Sequence, residues 1–96
     1  MTTRLTNVVF DAAGPGALAH WWSEAIGWPV TYIAPDEVVV EPPGNAQSFD
    51  VPKLVFVPVD DPKTVKNRVH LDLGSDSVEH QAALVERLVG LGATHT

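Results

Sequence analysis

The stretch that decides the fold is LTNVVFDAAGPGALAHWWSEAIGWPVTYI, which spans residues 5–33. Residues 5–12 are rich in strand-forming side chains, and a Gly-Pro-Gly turn then ends that strand. Apolar residues next recur at helical spacing as far as Ile26, where Gly27 provides a helix stop. Residues 28–33 again have the composition of a strand. The order strand, helix, strand predicts an α+β domain.

Two further strands complete this first unit. Residues 38–41 follow a tight turn, and residues 53–59 follow a longer loop. Pro52 and Pro58 stand near the ends of the last of these strands, and proline cannot donate a hydrogen bond to a strand ladder. We therefore predict that the fourth strand lies at or near an edge of the sheet. Residues 1–59 are expected to form a complete βαβββ unit.

The rest of the chain repeats the beginning of that unit. Residues 60–67 have the composition of a linker, and residues 68–73 alternate strictly between polar and apolar, which predicts a fifth strand. Asp76 or Ser77 is expected to cap a second helix, which a glycine ends. Residues 68–96 therefore form a partial second βα(β) unit in tandem with the first.

The composition excludes several classes of function. Six basic against twelve acidic residues give a formal net charge of -6, which repels a nucleic-acid backbone. The chain has no cysteine, so disulfides, thiolate catalysis and cysteine-bound metals are excluded. No apolar run approaches the roughly 20 residues that cross a bilayer, and the N-terminus has no signal-peptide pattern. We therefore expect a cytoplasmic protein that binds neither nucleic acid nor a membrane.

Alternation sorts the strand residues between two faces of the predicted sheet. In the fifth strand the apolar side chains face one way, whereas His70 and Asp72 face the other. In the first strand the same reasoning places Asn7 opposite the apolar pair Val8 and Phe10. Helices must cover the apolar set, so the polar set lines the concave side. The sequence thus predicts a site that contains Asn7, His70 and Asp72.

Two motifs carry a resemblance to a known family. They are LAHWWSEAIGW, residues 18–28, in the first helix, and KNRVHLDL, residues 66–73, in the fifth strand. With the tandem βαβββ order, the chain resembles the vicinal oxygen chelate superfamily of glyoxalases, bleomycin-resistance proteins and extradiol dioxygenases. It is most similar to the glyoxalase-like domains of high-GC bacteria. The resemblance implies a curved mixed sheet, a homodimer, and three further strands after Thr96, without which the second sheet has an open edge.

The resemblance also implies where a metal would bind. Metal-dependent members take ligands from the first, fourth, fifth and eighth strands, and the first three positions correspond here to Asn7, a position near Phe56, and His70. An asparagine amide competes weakly with water for a metal, and a phenylalanine cannot bind one. His70 is therefore the only candidate ligand. We expect no cofactor, with a divalent metal as the disfavoured alternative.

Three aromatic residues are candidates for lining an apolar pocket, namely Trp28, Tyr32 and Phe56. For each of them, packing in the core is the alternative. We accordingly predict a ligand-binding set of Asn7, Trp28, Tyr32, Phe56, His70 and Asp72.

Two functions follow from these residues and from the resemblance. The first is metal-free binding of a small, largely apolar molecule in a concave cleft, as in the bleomycin-resistance branch. The alternative is a metal-dependent lyase, isomerase or dioxygenase, in which His70 is a metal ligand or a catalytic general base. A third possibility is an assembly module that has no ligand pocket.

Overall fold

The computed structural model describes residues 5–44, 51–60 and 71–94. The chain divides into two compact units, Met1–Pro62 and Lys63–Thr96. The division falls within residues 60–67, the segment predicted to be a linker.

The first unit has the element order that the sequence predicts. Its elements, in chain order, are β1 (Asn7–Ala12), α1 (Pro15–Ile26), β2 (Val30–Ala34), β3 (Glu37–Val40) and β4 (Lys53–Pro58). This is a βαβββ arrangement, and the predicted α+β class is confirmed.

The four strands form one mixed sheet in the order β1-β4-β3-β2. β4 pairs with β1 in parallel and with β3 antiparallel, so it is a central strand. β4 is therefore not an edge strand itself, but it lies next to β1, the last strand of the described sheet, so the predicted position at or near an edge holds in its second form. Pro52 precedes the strand and Pro58 is its last residue, so neither removes an N–H group from the ladder between them.

Local signals in the sequence set both ends of α1. Pro15 occupies the first helical turn, where its missing N–H group has no helical partner to lose. Gly27 ends the helix in the left-handed conformation with φ of 75°, and its N–H donates to the Ser23 carbonyl at 2.9 Å. The Ser23 hydroxyl in turn donates to the Trp28 carbonyl. These bonds fix the path of the chain from α1 towards β2.

One face of the sheet packs against α1 and is called here the helix face. Its buried core consists of Ala19, Val38, Val40, Leu54 and Phe56, with Val8, Phe10, Trp22, Ile26, Trp28 and Val30 packed around it. The Phe10 and Phe56 rings stack with centroids 5.3 Å apart. The opposite side of the sheet is called the open face.

The second unit contains one described helix, α2 (Val78–Gly90). Ser77, one of the two predicted caps, accepts a hydrogen bond from the His80 N–H at 3.0 Å. Glu79 in the first turn and Arg87 in the last turn both complement the helix dipole.

The predicted fifth strand is not seen where the structure describes it. Residues 68–70, including His70, lie outside the described residues, and residues 71–73 form no strand. Alternation is a local property, whereas a strand also needs a neighbour for its N–H and C=O groups. Among residues 71–94 the regular structure is helical, so no neighbouring strand is available there.

Within the described part of the chain, no helix has both the length and the apolar character required to cross a membrane.

Candidate functional site

The open face has an apolar row at its centre. The strand register aligns Val9 of β1 with Val55 of β4, then Val39 of β3, and finally Tyr32 of β2. Neighbouring strands lie about 4.8 Å apart, so this row is about 14 Å long. The two residues at its ends are exposed, Val9 at 57% and Tyr32 at 51%, whereas Val39 and Val55 between them are buried.

A polar row runs beside the apolar one, roughly 7 Å away along the strands. Asn7 and Lys53 are partners in the pairing of β1 with β4. Glu41 and Lys53 each come one residue beyond the pair Val40–Leu54, so they are neighbours on the open face. The Thr31 hydroxyl donates to a Glu41 carboxylate oxygen. An amide, an ammonium, a carboxylate and a hydroxyl therefore border one side of the apolar row.

The other side of the apolar row is bordered by acidic groups. Asp11 pairs with Val57, and Glu37 comes one residue before the Val38–Phe56 pair, so that it neighbours Val57 on β4. The open face is thus apolar in the middle, acidic at one end, and of mixed charge at the end that contains Lys53.

An irregularity in β2 determines where Tyr32 points. Val30 pairs with Val40, yet Tyr32 pairs with Val39, so Thr31 is an extra residue in the ladder. Without this bulge, Tyr32 would share the helix face with Val30, because alternate residues share a face. The bulge instead turns Tyr32 towards the open face, next to Val39.

The predicted site residues of the first unit separate between the two faces. Asn7 and Tyr32 lie exposed on the open face. Phe56 is fully buried in the core on the helix face, and Trp28 packs against the same core. Phe56 and Trp28 therefore pack in the core, which the sequence analysis gave as the alternative to lining a pocket.

The described structure places neither of the two predicted site residues of the second unit in a strand. His70 lies outside the described residues, and Asp72 is exposed in a stretch that has no regular structure. The sequence interpretation also missed Lys53, Val39 and Val55 as residues of the open face. The signal that identifies them is the alternation that follows once Leu54 and Phe56 are assigned to the core.

Comparison with known protein families identifies the class of protein that this fold represents. The model of the glyoxalase-like domain family matches residues 7–96. The chain therefore belongs to the glyoxalase-like domain family, and the predicted resemblance to the vicinal oxygen chelate superfamily is confirmed. Comparison with curated proteins gives no match.

A solved structure named oxidase ChaP-H2 has a similar fold. It superposes with a TM-score of 0.66 at 17% sequence identity, over 96% of this chain and 65% of the oxidase chain. The chain thus spans less than two thirds of the oxidase's length, and at this identity the likeness supports the fold alone.

The described residues of β4 place no carboxylate or imidazole on the open face. The side chains that β4 presents on the open face are Lys53, Val55 and Val57, and none of these donates an electron pair to a metal. Lys53 also places a positive charge beside Asn7, which disfavours a cation there. Within the described residues, no group of three or more His, Cys, Asp or Glu side chains is placed to hold a metal ion.

Proposed function

We propose that the open face of the first unit binds a small, largely apolar molecule without a metal ion. The observation that carries this proposal is the row Val9, Val55, Val39 and Tyr32, which places four apolar side chains across the sheet. α1 packs against the opposite face of the same sheet, and the row's exposed apolar side chains are Val9 and Tyr32 at its two ends, with Val39 and Val55 buried between them.

The size of this row indicates what else the site needs. A flat ligand that covers about 100 Å² of apolar surface gains roughly 2.5 kcal/mol, which corresponds to weak binding. Small-molecule sites generally bury about 70–90% of the ligand surface, and a single sheet face covers only one side of a flat molecule. We therefore propose that a second copy of this chain, in a homodimer, supplies the opposite wall of the cleft.

The residue to test first is Tyr32, and Ile33 is its matched control. Both belong to the edge strand β2 and both are exposed, Ile33 at 68%. Tyr32 pairs with Val39 on the open face, whereas Ile33 pairs with Val38 on the helix face. We expect Tyr32→Ala to weaken binding of an aromatic probe such as 2-naphthamide by about tenfold, because a ring contact is lost. Ile33→Ala should leave the affinity unchanged.

The binding is measured by titration of the ¹⁵N-labelled intact chain with 2-naphthamide, followed by amide NMR shifts. Shifts that cluster on Val9, Val39 and Val55 support the proposal. Equal effects of the two substitutions, or shifts confined to residues away from the open face, would show that the ligand binds elsewhere.

Metal content tests the competing enzyme hypothesis. The protein is purified without chelators or a His-tag, and its metal is measured by mass spectrometry beside the His70→Ala variant. We expect no stoichiometric metal in either sample. A stoichiometric metal that is lost on substitution of His70 would instead favour a metal-dependent lyase, isomerase or dioxygenase.

A further inference from the structure

We propose that Lys53 binds an acidic oxygen of the ligand, so that the ligand is a small apolar carboxylate. This inference rests on the proposed function, because it concerns the polar end of the same open face. It adds to the proposed function the charge of the ligand and the orientation of the ligand along the strands.

The first observation is the position of the positive charge. Among residues 5–44 and 51–60, Lys53 is the one lysine or arginine, in a chain whose formal net charge is -6. Its side chain lies on the open face, since Leu54 and Phe56 on either side of Val55 belong to the core. The only lysine or arginine in these described segments therefore lies beside the apolar row.

The second observation is which side chains neighbour Lys53 in the polar row. Asn7 is its direct partner on β1, and an asparagine amide has two N–H donors that can share a carboxylate with an ammonium group. Glu41 on the other side accepts the hydroxyl of Thr31, which holds one carboxylate oxygen towards β2. An ammonium group has three donors, so Lys53 can contact Glu41 and still donate to a ligand oxygen.

The third observation is the polarity of the open face along its strands. Asp11 and Glu37 border the end opposite Lys53, and both repel an anionic group. At the Lys53 end the charge of Glu41 is offset by that of Lys53 and the Asn7 amide adds N–H donors, so this end repels a carboxylate less than the end of Asp11 and Glu37 does. With the acidic group at the Lys53 end, the apolar body of the ligand extends roughly 7 Å to the row of Val9 and Val55.

The test compares probes that differ only in charge. 2-Naphthoate and 2-naphthamide have the same ring system, and each is titrated into the intact chain by NMR. We expect naphthoate to bind about fivefold more tightly, which is the size of one partly solvated ionic contact. Lys53→Met should remove this preference and leave the affinity for naphthamide within about twofold, because the methylene groups of the stem are kept.

Two further variants separate a local contact from the overall charge. Arg87→Gln removes one positive charge from α2 and should preserve the preference for naphthoate. Lys53→Arg keeps the charge in place and should preserve it as well. In the native chain, added salt should reduce the affinity for naphthoate and not that for naphthamide.

Each outcome decides between the inference and the function on which it rests. Equal affinities of the native chain for the two probes would overturn the acidic ligand and leave apolar binding in place. A preference that survives in Lys53→Met would place the anion contact on another residue and refute the role of Lys53. If neither probe shifts the amides of the open face, the proposed function fails together with this inference.

Discussion

Replacement of Phe56 by alanine should strongly destabilise the first unit, because this ring lies at the centre of its core. Phe56 is 0% exposed, lies on the central strand β4, and stacks on Phe10 with ring centroids 5.3 Å apart. Truncation of a buried phenylalanine to alanine costs about 3–5 kcal/mol. A unit of about 60 residues has a total stability of roughly 3–9 kcal/mol. The substitution therefore removes a large part, or all, of the free energy of unfolding.

The assay is urea denaturation followed by tryptophan fluorescence. Trp22 and Trp28 both pack against the core that contains Phe56, so their emission reports on that core. Phe56→Leu is the matched control and should cost about 1–2 kcal/mol, because most of the apolar volume is kept. Tyr32→Leu, on the exposed end of the open face, should change the free energy of unfolding by less than about 0.5 kcal/mol.

The result that refutes this reasoning is a mild Phe56→Ala variant. A loss below about 1 kcal/mol, together with loss of 2-naphthamide binding, would place Phe56 on the open face. In that case the register of β4 would be shifted by one residue, because such a shift exchanges the two faces of a strand.

Further predictions concern the ends of the helices. Gly27→Ala should cost about 1–2 kcal/mol in urea denaturation, since φ is 75° and no atom lies within 4 Å of the added Cβ, so the cost is that of the backbone alone. Gly90→Ala, which also meets no atom within 4 Å, should instead protect the amides of α2 from hydrogen exchange. A destabilised Gly90→Ala variant would contradict this. Ser77→Ala should destabilise α2 by about 1 kcal/mol because the bond from His80 N–H is lost, and Ser77→Asp should preserve the cap. Equal exchange rates in these two Ser77 variants would exclude the cap as a source of helix stability.

The sequence predicts the elements of the first unit well where the signals are local. α1 has the bounds Pro15–Ile26 that the proline and the glycine at its ends indicate. Strand order is not local, and β4 shows the consequence, because the sequence left open whether this strand lies at an edge or beside one. Prolines near a strand's ends are compatible with an edge and equally with a short central strand, and only the pairing partners distinguish the two.

The site was harder to predict than the fold for a related reason. Residues 54–57 of β4 are all apolar, so there is no polar–apolar alternation to assign their faces, as is usual for a central strand. Tyr32 reaches the open face through a bulge at Thr31, and nothing in the residues 30–34 marks that extra residue. Residues 71–73 show the reverse case, in which clear alternation is present without a described strand.

The central position of β4 connects the stability of the unit with its proposed function. Because β4 lies between β1 and β3, its even-numbered residues Leu54 and Phe56 form the core under α1. Its odd-numbered residues Lys53 and Val55 lie in the middle of the open face. Substitutions at Leu54 and Phe56 should therefore act on the free energy of unfolding, and substitutions at Lys53 on the charge preference. Val55 is itself buried, so substitutions there should act on both stability and ligand affinity. Val55→Thr, which keeps the shape of valine and replaces one methyl group by a hydroxyl, should weaken naphthamide binding by about threefold or more while the Lys53-dependent preference for naphthoate persists. A Val55→Thr variant that binds both probes as the native chain does would show that the apolar row is not the floor of the site.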